Sequence, residues 1–400
     1  MSKKVQPLVM AVRKFIRERV EPVDAEFLAE VAVGDRWKLT DRQKEILHDL
    51  KSAAKAAGLW NFWLTDSDRG YGLTTVEYAY LAEETGRAYL AAEAFNCSAP
   101  DTGNMEVLER YGSDAQKAEW LQPLLDGEIR SAYAMTEPDV ASSDATNIAT
   151  SAELEGDEWL INGEKTYISG AGDERCKIMI CMVRTDPDAG RHAQHSQILI
   201  PMDTPGVQVV RGMQVFAHDD APHGHMHIRL KEVRVPAGNI ILGRGRGFEV
   251  AQGRLGPGRI HHCMRAIGMS ERALELMCRR ALSRTAFGKP IANLGGNHDA
   301  IANARMTIDM ARLLTLQTAH VIDTEGVWTA RTWISKIKAT VPKVALKVID
   351  DAIQMHGAAG LSQDFPLADM YTSARTLRLA DGPDEVHRVV VARDELGKYR

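Results

Sequence analysis

The spacing of apolar residues changes twice along the 400-residue chain. Residues 1–130 repeat apolar positions at helical intervals, residues 131–242 show short apolar runs and strict alternation, and residues 243–400 return to helical spacing. This order differs from the alternation of strands and helices in a doubly wound sheet. We therefore predict a mainly α fold with a central β-domain, in which these three ranges are the domains.

Two patterns predict strands in the central stretch. Residues 159–161 and 166–168 are apolar runs that flank Asn162-Gly163, a dipeptide typical of tight hairpin turns. Between His223 and Val235, apolar residues alternate with histidines and arginine, which predicts a strand with one buried face. This alternation explains the spaced histidines without a metal ion.

Helical spacing in the last third runs from Ile334 to Val348. Pro342 falls inside that run, and we predict that it kinks or restarts the helix because proline lacks the backbone N–H. Gly357 is well placed to end it. This stretch therefore predicts a long helical segment with a defined stop.

Composition narrows the classes of function. The formal net charge of −5 gives no general attraction to nucleic acid or anionic lipid. No apolar run approaches the roughly 20 residues that span a bilayer. The five cysteines are odd in number and form no Cys-x-x-Cys pair, which argues against a disulfide framework or a zinc knuckle. We expect a cytoplasmic protein without a metal, a nucleic-acid partner or a membrane partner.

Near the end of the chain, Asp381 precedes Gly382-Pro383, which must break the preceding helical pattern. A carboxylate held in a dry cleft has a raised pKa, as a base that removes a proton requires. Asp381 could instead be the N-cap of the last helix, which begins near Pro383. Local spacing alone favours the cap.

Several segments together resemble motifs of the acyl-CoA dehydrogenase family, in the family's order. Those similar to its flavin-contact segments are Tyr133–Pro138, Asn162–Ser169, Arg284–Pro290 and Gln354–Gly360. Asn96–Asn104 and Leu379–His387 look most like the subgroup typified by the human members ten and eleven. The resemblance implies three domains: an N-terminal helical domain, a middle β-barrel-like domain and a C-terminal four-helix bundle. It also implies a homodimer or homotetramer.

The resemblance carries roles to particular residues. FAD is the implied cofactor, with contacts to its flavin ring from Met135, Thr136, Tyr167 and Ser169. The resemblance implies that Arg284, Phe287, Gln354 and Gly357 contact the FAD of a neighbouring subunit. Asp381 stands where most members have glutamate and is the implied catalytic base. Arg259 resembles the arginine near the thioester pocket, and either Ser142 or Ser143 would meet the CoA chain. Pro383 stands in place of a threonine that usually contacts FAD.

The implied activity is the FAD-dependent α,β-dehydrogenation of an acyl-CoA thioester in fatty acid metabolism and β-oxidation. Asp381 would take the α-proton, flavin N5 would accept the β-hydride, and an electron-transfer flavoprotein would receive the electrons. One alternative is a related flavin oxidase, either an acyl-CoA oxidase or a nitroalkane-oxidase-like enzyme, whose branch also uses an aspartate base. The other is a DNA-binding flavoprotein on the same fold, against which the acidic net charge argues. The subgroup suggests long, branched or 4-hydroxy acyl groups.

Overall fold

The computed structural model describes residues 1–64 and 69–400, apart from the side chains of residues 255 and 257. Contacts within the chain divide it into two compact units. The helical unit comprises Met1–Pro22, Phe62–Ala92 and Gly256–Arg400, and the sheet unit comprises Val23–Asn61 and Glu93–Leu255. Residues from the first predicted domain therefore occur in both units.

Most of the helical residues are in α-helices, with π-helical turns at Ile16–Val20 and Lys117–Leu121. The α-helices are α1 (Gln6–Phe15), α2 (Glu21–Glu30), α3 (Asp41–Ala56), α4 (Thr75–Thr85), α5 (Ala91–Ala94), α6 (Asp101–Tyr111), α7 (Asp114–Gln116), α8 (Gln122–Leu125), α9 (Gly247–Ser283), α10 (Asn297–Thr329), α11 (Arg331–His356), α12 (Leu367–Thr376) and α13 (Asp384–Gly397). Short 3₁₀ segments lie at Ala145–Asn147, Ala237–Asn239, Ile291–Asn293 and Gly357–Leu361.

Local sequence explains where two of these helices begin. Thr40 precedes α3. Its side-chain oxygen accepts a hydrogen bond from the backbone N–H of Gln43, and its own backbone N–H donates to the Gln43 side-chain oxygen. Thr74 and Glu77 form the same reciprocal arrangement before α4. Each arrangement satisfies donors that the first turn leaves without a helical partner, and each therefore defines a helix start.

The sheet unit contains one eight-stranded, mostly antiparallel sheet. Its strands are β1 (Arg130–Ala134), β2 (Ser151–Glu155), β3 (Glu158–Ser169), β4 (Cys176–Arg184), β5 (His195–Pro201), β6 (Val207–Gly212), β7 (His225–Pro236) and β8 (Ile240–Ile241). The order is β6-β7-β3-β2-β4-β5-β8, and β1 pairs with β4 in parallel. A short hairpin, β9 (Thr285–Ala286) and β10 (Lys289–Pro290), belongs to the helical unit.

Alternation along β7 confirms the predicted strand between His223 and Val235. Met226, Ile228 and Leu230 are buried in the sheet core, while Arg229 is exposed. Burying one side chain of this size stabilises the fold by about 1.5–3 kcal/mol. A shift of register by one residue would turn that face to water, so the pattern specifies how β7 pairs.

The predicted hairpin at Asn162-Gly163 is wrong. β3 runs through both residues, and the turn that joins β2 to β3 lies instead at residues 156–157. The pairing of β3 with β7 shifts between Ile161 and Gly163, as at a β-bulge. A Cβ on Gly163 would lie 2.4 Å from the Thr150 Oγ1, so glycine serves close approach here rather than a turn.

The helical unit is built around α10 and α11. Buried side chains on these helices include Ile308 and Ala311 on α10 and Ile337 and Val341 on α11. α11 continues through Pro342 as a single element, so the predicted restart does not occur. Gly357, with φ of 64°, follows its last residue as predicted. Among the described residues, no helix is both long enough and apolar enough to cross a bilayer.

Candidate active site

The first predicted flavin-contact segment begins with the last two residues of β1 and is held in place by a buried lysine. The Lys165 Nζ donates to the carbonyl oxygens of Met135, at 3.2 Å, and Met182, at 2.6 Å, and to the Glu137 carboxylate at 2.9 Å. Glu137 also accepts from the backbone N–H of Ala149 at 2.7 Å. Burial opposes ionisation of Glu137, but the Lys165 charge and these hydrogen bonds outweigh it and lower the pKa of that carboxyl.

The second predicted segment lies directly beside the first. The backbone N–H of Thr166 donates to the Thr136 carbonyl at 2.8 Å. Tyr167 has a φ of 56° and a side chain that is 52% exposed. Met135 is half-buried, Thr136 is exposed, and Ser169 is half-buried at the end of β3. These neighbouring segments thus carry all four predicted contacts of the sheet unit.

This surface has features that a planar aromatic cofactor needs. The exposed Tyr167 ring is on a backbone in the left-handed region, which a bulky residue rarely adopts and which points to a functional constraint. Thr136 and Ser169 supply hydroxyls to the same neighbourhood. An apolar ring face with a few convergent polar groups is typical of a cofactor site. The residues present therefore fit the isoalloxazine ring of FAD.

The two candidate CoA serines have different surroundings. The Ser142 Oγ accepts from the backbone N–H of Glu137 at 2.9 Å and donates to the Val140 carbonyl at 3.3 Å. Ser143 is exposed. The Ser142 hydroxyl is thus part of the loop's own structure, whereas Ser143 presents its side chain to solvent.

Asp381 lies in the turn between α12 and α13. The N-cap residue of α13 is Pro383 rather than Asp381, so the interpretation of Asp381 as the N-cap is wrong. Asp381 has a φ of 56° and Gly382 a φ of 100°. The backbone carbonyl of Asp381 accepts from Arg259 twice, from Nε at 3.1 Å and from Nη2 at 3.0 Å. Arg259 therefore holds the turn that carries the predicted base.

The Asp381 carboxylate faces an imidazole on α9. Its Oδ2 lies 3.3 Å from the His262 Nε2, and the two side chains are 18% and 23% exposed. The other ring nitrogen, Nδ1, lies 3.4 Å from an Arg265 guanidinium nitrogen. A guanidinium can only donate, so Nδ1 accepts and Nε2 carries the ring proton towards Asp381. Burial lowers the pKa of His262 and favours this neutral form.

A lysine and a second histidine also lie beside the turn that carries Asp381. The Lys338 Nζ lies 3.4 Å from the Gly382 carbonyl, and burial lowers the pKa of this lysine. The His387 Nε2 lies 3.2 Å from the Asp381 carbonyl. Burial, followed by the positive charges of Arg259 and Lys338, lowers the pKa of His387 to about 4. His387 is therefore neutral at physiological pH.

The remaining predicted FAD contacts belong to the helical unit and lie at its surface. Arg284 precedes β9, and Phe287, between β9 and β10, is 95% exposed with a φ of 49°. Gln354 and Gly357 are exposed at the end of α11. These residues are accessible to a ligand.

Sequence reasoning assigned no role to His262. A signal was available, because His262 is three residues after Arg259 on one helix, and residues at that spacing share a face. Sequence reasoning also missed the His225 ring, whose Nδ1 lies 2.8 Å from the Ser169 Oγ. That contact depends on the register between β3 and β7.

Comparison with known proteins identifies the family to which the chain belongs. Sequence profiles of the acyl-CoA dehydrogenase N-terminal, middle and C-terminal domains match residues 2–128, 132–230 and 245–396. The chain belongs to the acyl-CoA dehydrogenase family. This confirms the predicted family and fold class, and it identifies the chain as an enzyme of a family whose cofactor is FAD.

The chain is similar to several individual members of the acyl-CoA dehydrogenase family. Mouse acyl-CoA dehydrogenase family member 10 is 54% identical over 99% of this chain, which spans 37% of that relative's length. FadE2 of Mycobacterium tuberculosis is 54% identical over 89% of this chain and 86% of its own. The solved structure of a homologue from Mycobacterium abscessus has a TM-score of 0.95, with 53% identity over 100% of this chain and 99% of that one. The chain also spans about half the length of the member 11 proteins from several animals.

Proposed function

We propose that this chain catalyses the FAD-dependent α,β-dehydrogenation of an acyl-CoA thioester, with Asp381 as the base. One observation carries the proposal: the Asp381 carboxylate faces His262 in a half-buried turn held by Arg259. A positioned carboxylate of this kind can remove a weakly acidic proton. FAD, when bound, supplies the acceptor for the β-hydride.

The chain's own residues divide the remaining work. Arg259 fixes the Asp381 carbonyl, so the carboxylate keeps one position while it accepts the α-proton. Met135, Thr136, Tyr167 and Ser169 would receive the isoalloxazine ring. Arg284, Phe287, Gln354 and Gly357 would hold the adenosine and pyrophosphate end of a neighbouring subunit's FAD. Ser143 is the better candidate for the CoA chain, because the Ser142 hydroxyl already bonds within its loop.

The family resemblance also supports the partners. We expect electrons to pass to an electron-transfer flavoprotein, and the exposed Phe287 hairpin suits contact with a second copy in a homodimer or homotetramer. A cytoplasmic location, domain boundaries at residues 130 and 242, and a preference for long, branched or 4-hydroxy acyl groups stay predictions.

Anaerobic mixing of the FAD-loaded protein with acyl-CoA tests the proposal. The panel should contain straight, branched and 4-hydroxy acyl chains, and the measurement is the rate at which visible flavin absorbance is lost. Asp381→Asn should keep FAD bound and lower the rate about 10³-fold, since a general base contributes on that scale. Asp394→Asn, an exposed aspartate on α13, is the matched control and should leave the rate unchanged.

The alternatives predict other outcomes. Bleaching by a nitroalkane but by no thioester would contradict the proposal, and so would an Asp381→Asn protein that bleaches at the unmodified rate. Fast reoxidation of the reduced protein by oxygen would indicate an oxidase. Salt-dependent binding to DNA near physiological ionic strength would favour a nucleic-acid function.

A further inference from the structure

A serine, a histidine and an aspartate lie in a row at one end of the sheet. Ser169 and His225 are directly opposite each other in the pairing of β3 with β7. The Ser169 Oγ lies 2.8 Å from the His225 Nδ1, and the His225 Nε2 lies 3.5 Å from the Asp220 Oδ2. Among residues 1–64 and 69–400, no group of three or more His, Cys, Asp or Glu side chains is placed to hold a metal ion. The row therefore calls for an explanation other than metal binding.

Backbone hydrogen bonds hold the row in place. The Asp220 carbonyl accepts from the backbone N–H of Gly224 at 2.7 Å, which closes the loop before β7. The Gly224 carbonyl in turn accepts from the N–H of Gly170 at 3.0 Å, immediately after Ser169. The loop that carries Asp220 is thus bound to the strand end that carries Ser169.

The direction in which protons are donated along the row follows from which groups can only accept. A carboxylate only accepts, so Asp220 favours the tautomer with the proton on the His225 Nε2. The Nδ1 is then an acceptor, and the Ser169 hydroxyl must donate its proton to it. Burial lowers the pKa of His225, which favours the neutral ring on which this assignment depends. The Ser169 oxygen is left with free lone pairs and no free proton.

We propose that His225 and Asp220 keep the Ser169 oxygen as a hydrogen-bond acceptor for the N–H that a bound flavin carries at N5 only when reduced. His225 and Asp220 are positioning residues in this scheme, and their effect is to favour the reduced cofactor. The inference rests on the proposed function, because Ser169 is placed next to the flavin by the family resemblance. A hydroxyl with a free proton would instead favour the oxidised ring, whose N5 is an acceptor.

Residue types alone would also suggest a hydrolase. In Ser-His-Asp hydrolases the serine faces Nε2 and the aspartate faces Nδ1, whereas here the two nitrogens are exchanged. The Asp220 side chain is 43% exposed, unlike the buried aspartate of such triads. The geometry thus favours orientation of the serine over its activation as a nucleophile.

The test measures the ratio of reduced to oxidised FAD on the protein at equilibrium with a reference redox dye. It needs no substrate. His225→Phe and Ser169→Ala should each lower the ratio about three- to tenfold, the scale of one hydrogen bond. The double variant should show no more than the Ser169→Ala effect, because His225 acts through the serine. His225→Asn, whose side-chain oxygen can accept in place of Nδ1, should recover part of the ratio.

The chain offers a matched control two residues along the same strand. His227 also pairs with a carboxylate, with its Nε2 2.6 Å from the Glu164 Oε2. His227→Phe should leave the ratio unchanged. If His225→Phe does not retain FAD, His225→Ala supplies the same comparison.

Three results would overturn the inference. They are an unchanged or higher ratio in His225→Phe, additive effects in the double variant, and CoA release from an acyl-CoA by FAD-free protein that is lost in Ser169→Ala. Failure of the unmodified chain to bind FAD would instead overturn the proposed function, so the two failures can be told apart.

Discussion

Two aspartate–histidine pairs in the described part of the chain differ in the roles that we propose for their members. In the helical unit, Asp381 and His262 lie 3.3 Å apart, and in the sheet unit Asp220 and His225 lie 3.5 Å apart. Both imidazoles are 23% exposed, but Asp381 is 18% exposed and Asp220 43%. The better-shielded carboxylate is the proposed base, whereas the more exposed one only biases a ring that faces a hydroxyl. The same two residue types are thus proposed to play different roles, depending on the exposure of the carboxylate and on the neighbouring groups.

Removing the imidazole beside Asp381 should have the largest effect within this comparison. The imidazole orients the carboxylate, and misplacing a catalytic group by about 1 Å can cost on the order of 10²-fold in rate, so His262→Phe should slow flavin reduction by acyl-CoA about 10- to 100-fold. Substrate affinity should change little, because the carboxylate, not the thioester, loses a partner. Stopped-flow rates against acyl-CoA concentration separate the two quantities.

His262→Gln, which can donate from a similar position, should recover part of that rate. His320→Phe, at an exposed site on α10, is the control. An unchanged rate in His262→Phe would show that Arg259 and the turn position Asp381 without the imidazole.

Lengthening the side chain of the proposed base tests how much the rate depends on the position of the carboxylate beside His262. Asp381→Glu adds one methylene, about 1.5 Å of reach, and so pushes the carboxylate past its place beside His262. We expect flavin reduction to slow about tenfold, since small misplacements of a catalytic group cost rate. A variant as fast as the unmodified protein would mean that the turn adjusts to either length. The family's usual glutamate would then be interchangeable with Asp381 here.

A fall in pH should lower the free energy of unfolding of the chain through His387, which belongs to the helical unit. Its pKa of about 4 lies below its ordinary value of 6.5, so the unfolded chain takes up the proton first as the pH falls. Stability is unaffected by this group above about pH 6.5 and is progressively lost from there down to about pH 4.

His387→Gln should therefore lose less stability than the unmodified chain over the same range, as measured by urea unfolding at several pH values. The exposed His320→Gln should behave like the unmodified chain. Identical acid dependence in His387→Gln would show that other groups dominate.

The smallest effect is expected from the exposed carboxylate. Asp220→Asn should lower the reduced-to-oxidised FAD ratio only about twofold, because solvent screens a partly exposed pair. Equilibration with a reference dye measures it. A shift as large as that of His225→Phe would mean that solvent does not screen the contact between Asp220 and His225.

Local periodicity predicted much of the fold. The alternation in β7 and the stop at Gly357 are both confirmed, because each reflects a local backbone requirement. The hairpin at Asn162-Gly163 was wrong because a bulge between paired strands can use the same dipeptide as a turn, and only the partner strand decides.

The candidate site was less accessible to sequence reasoning. Asp381 looked like a cap because its true neighbours, Arg259 and His262, are distant in sequence. The contact of Ser169 with His225 could not be foreseen either, since it depends on two register shifts between β3 and β7. Contacts of this kind become visible only when the tertiary structure sets which elements meet.

The buried Lys165 has a consequence for the order of events in cofactor loading. Its ammonium ties the Met135 carbonyl and the Glu137 carboxylate to Met182 on β4, using only groups of the protein itself. The strand end that is proposed to meet the flavin ring is therefore held by contacts within the protein itself. Loading need not be coupled to local folding there, so more of the intrinsic contact energy remains as affinity.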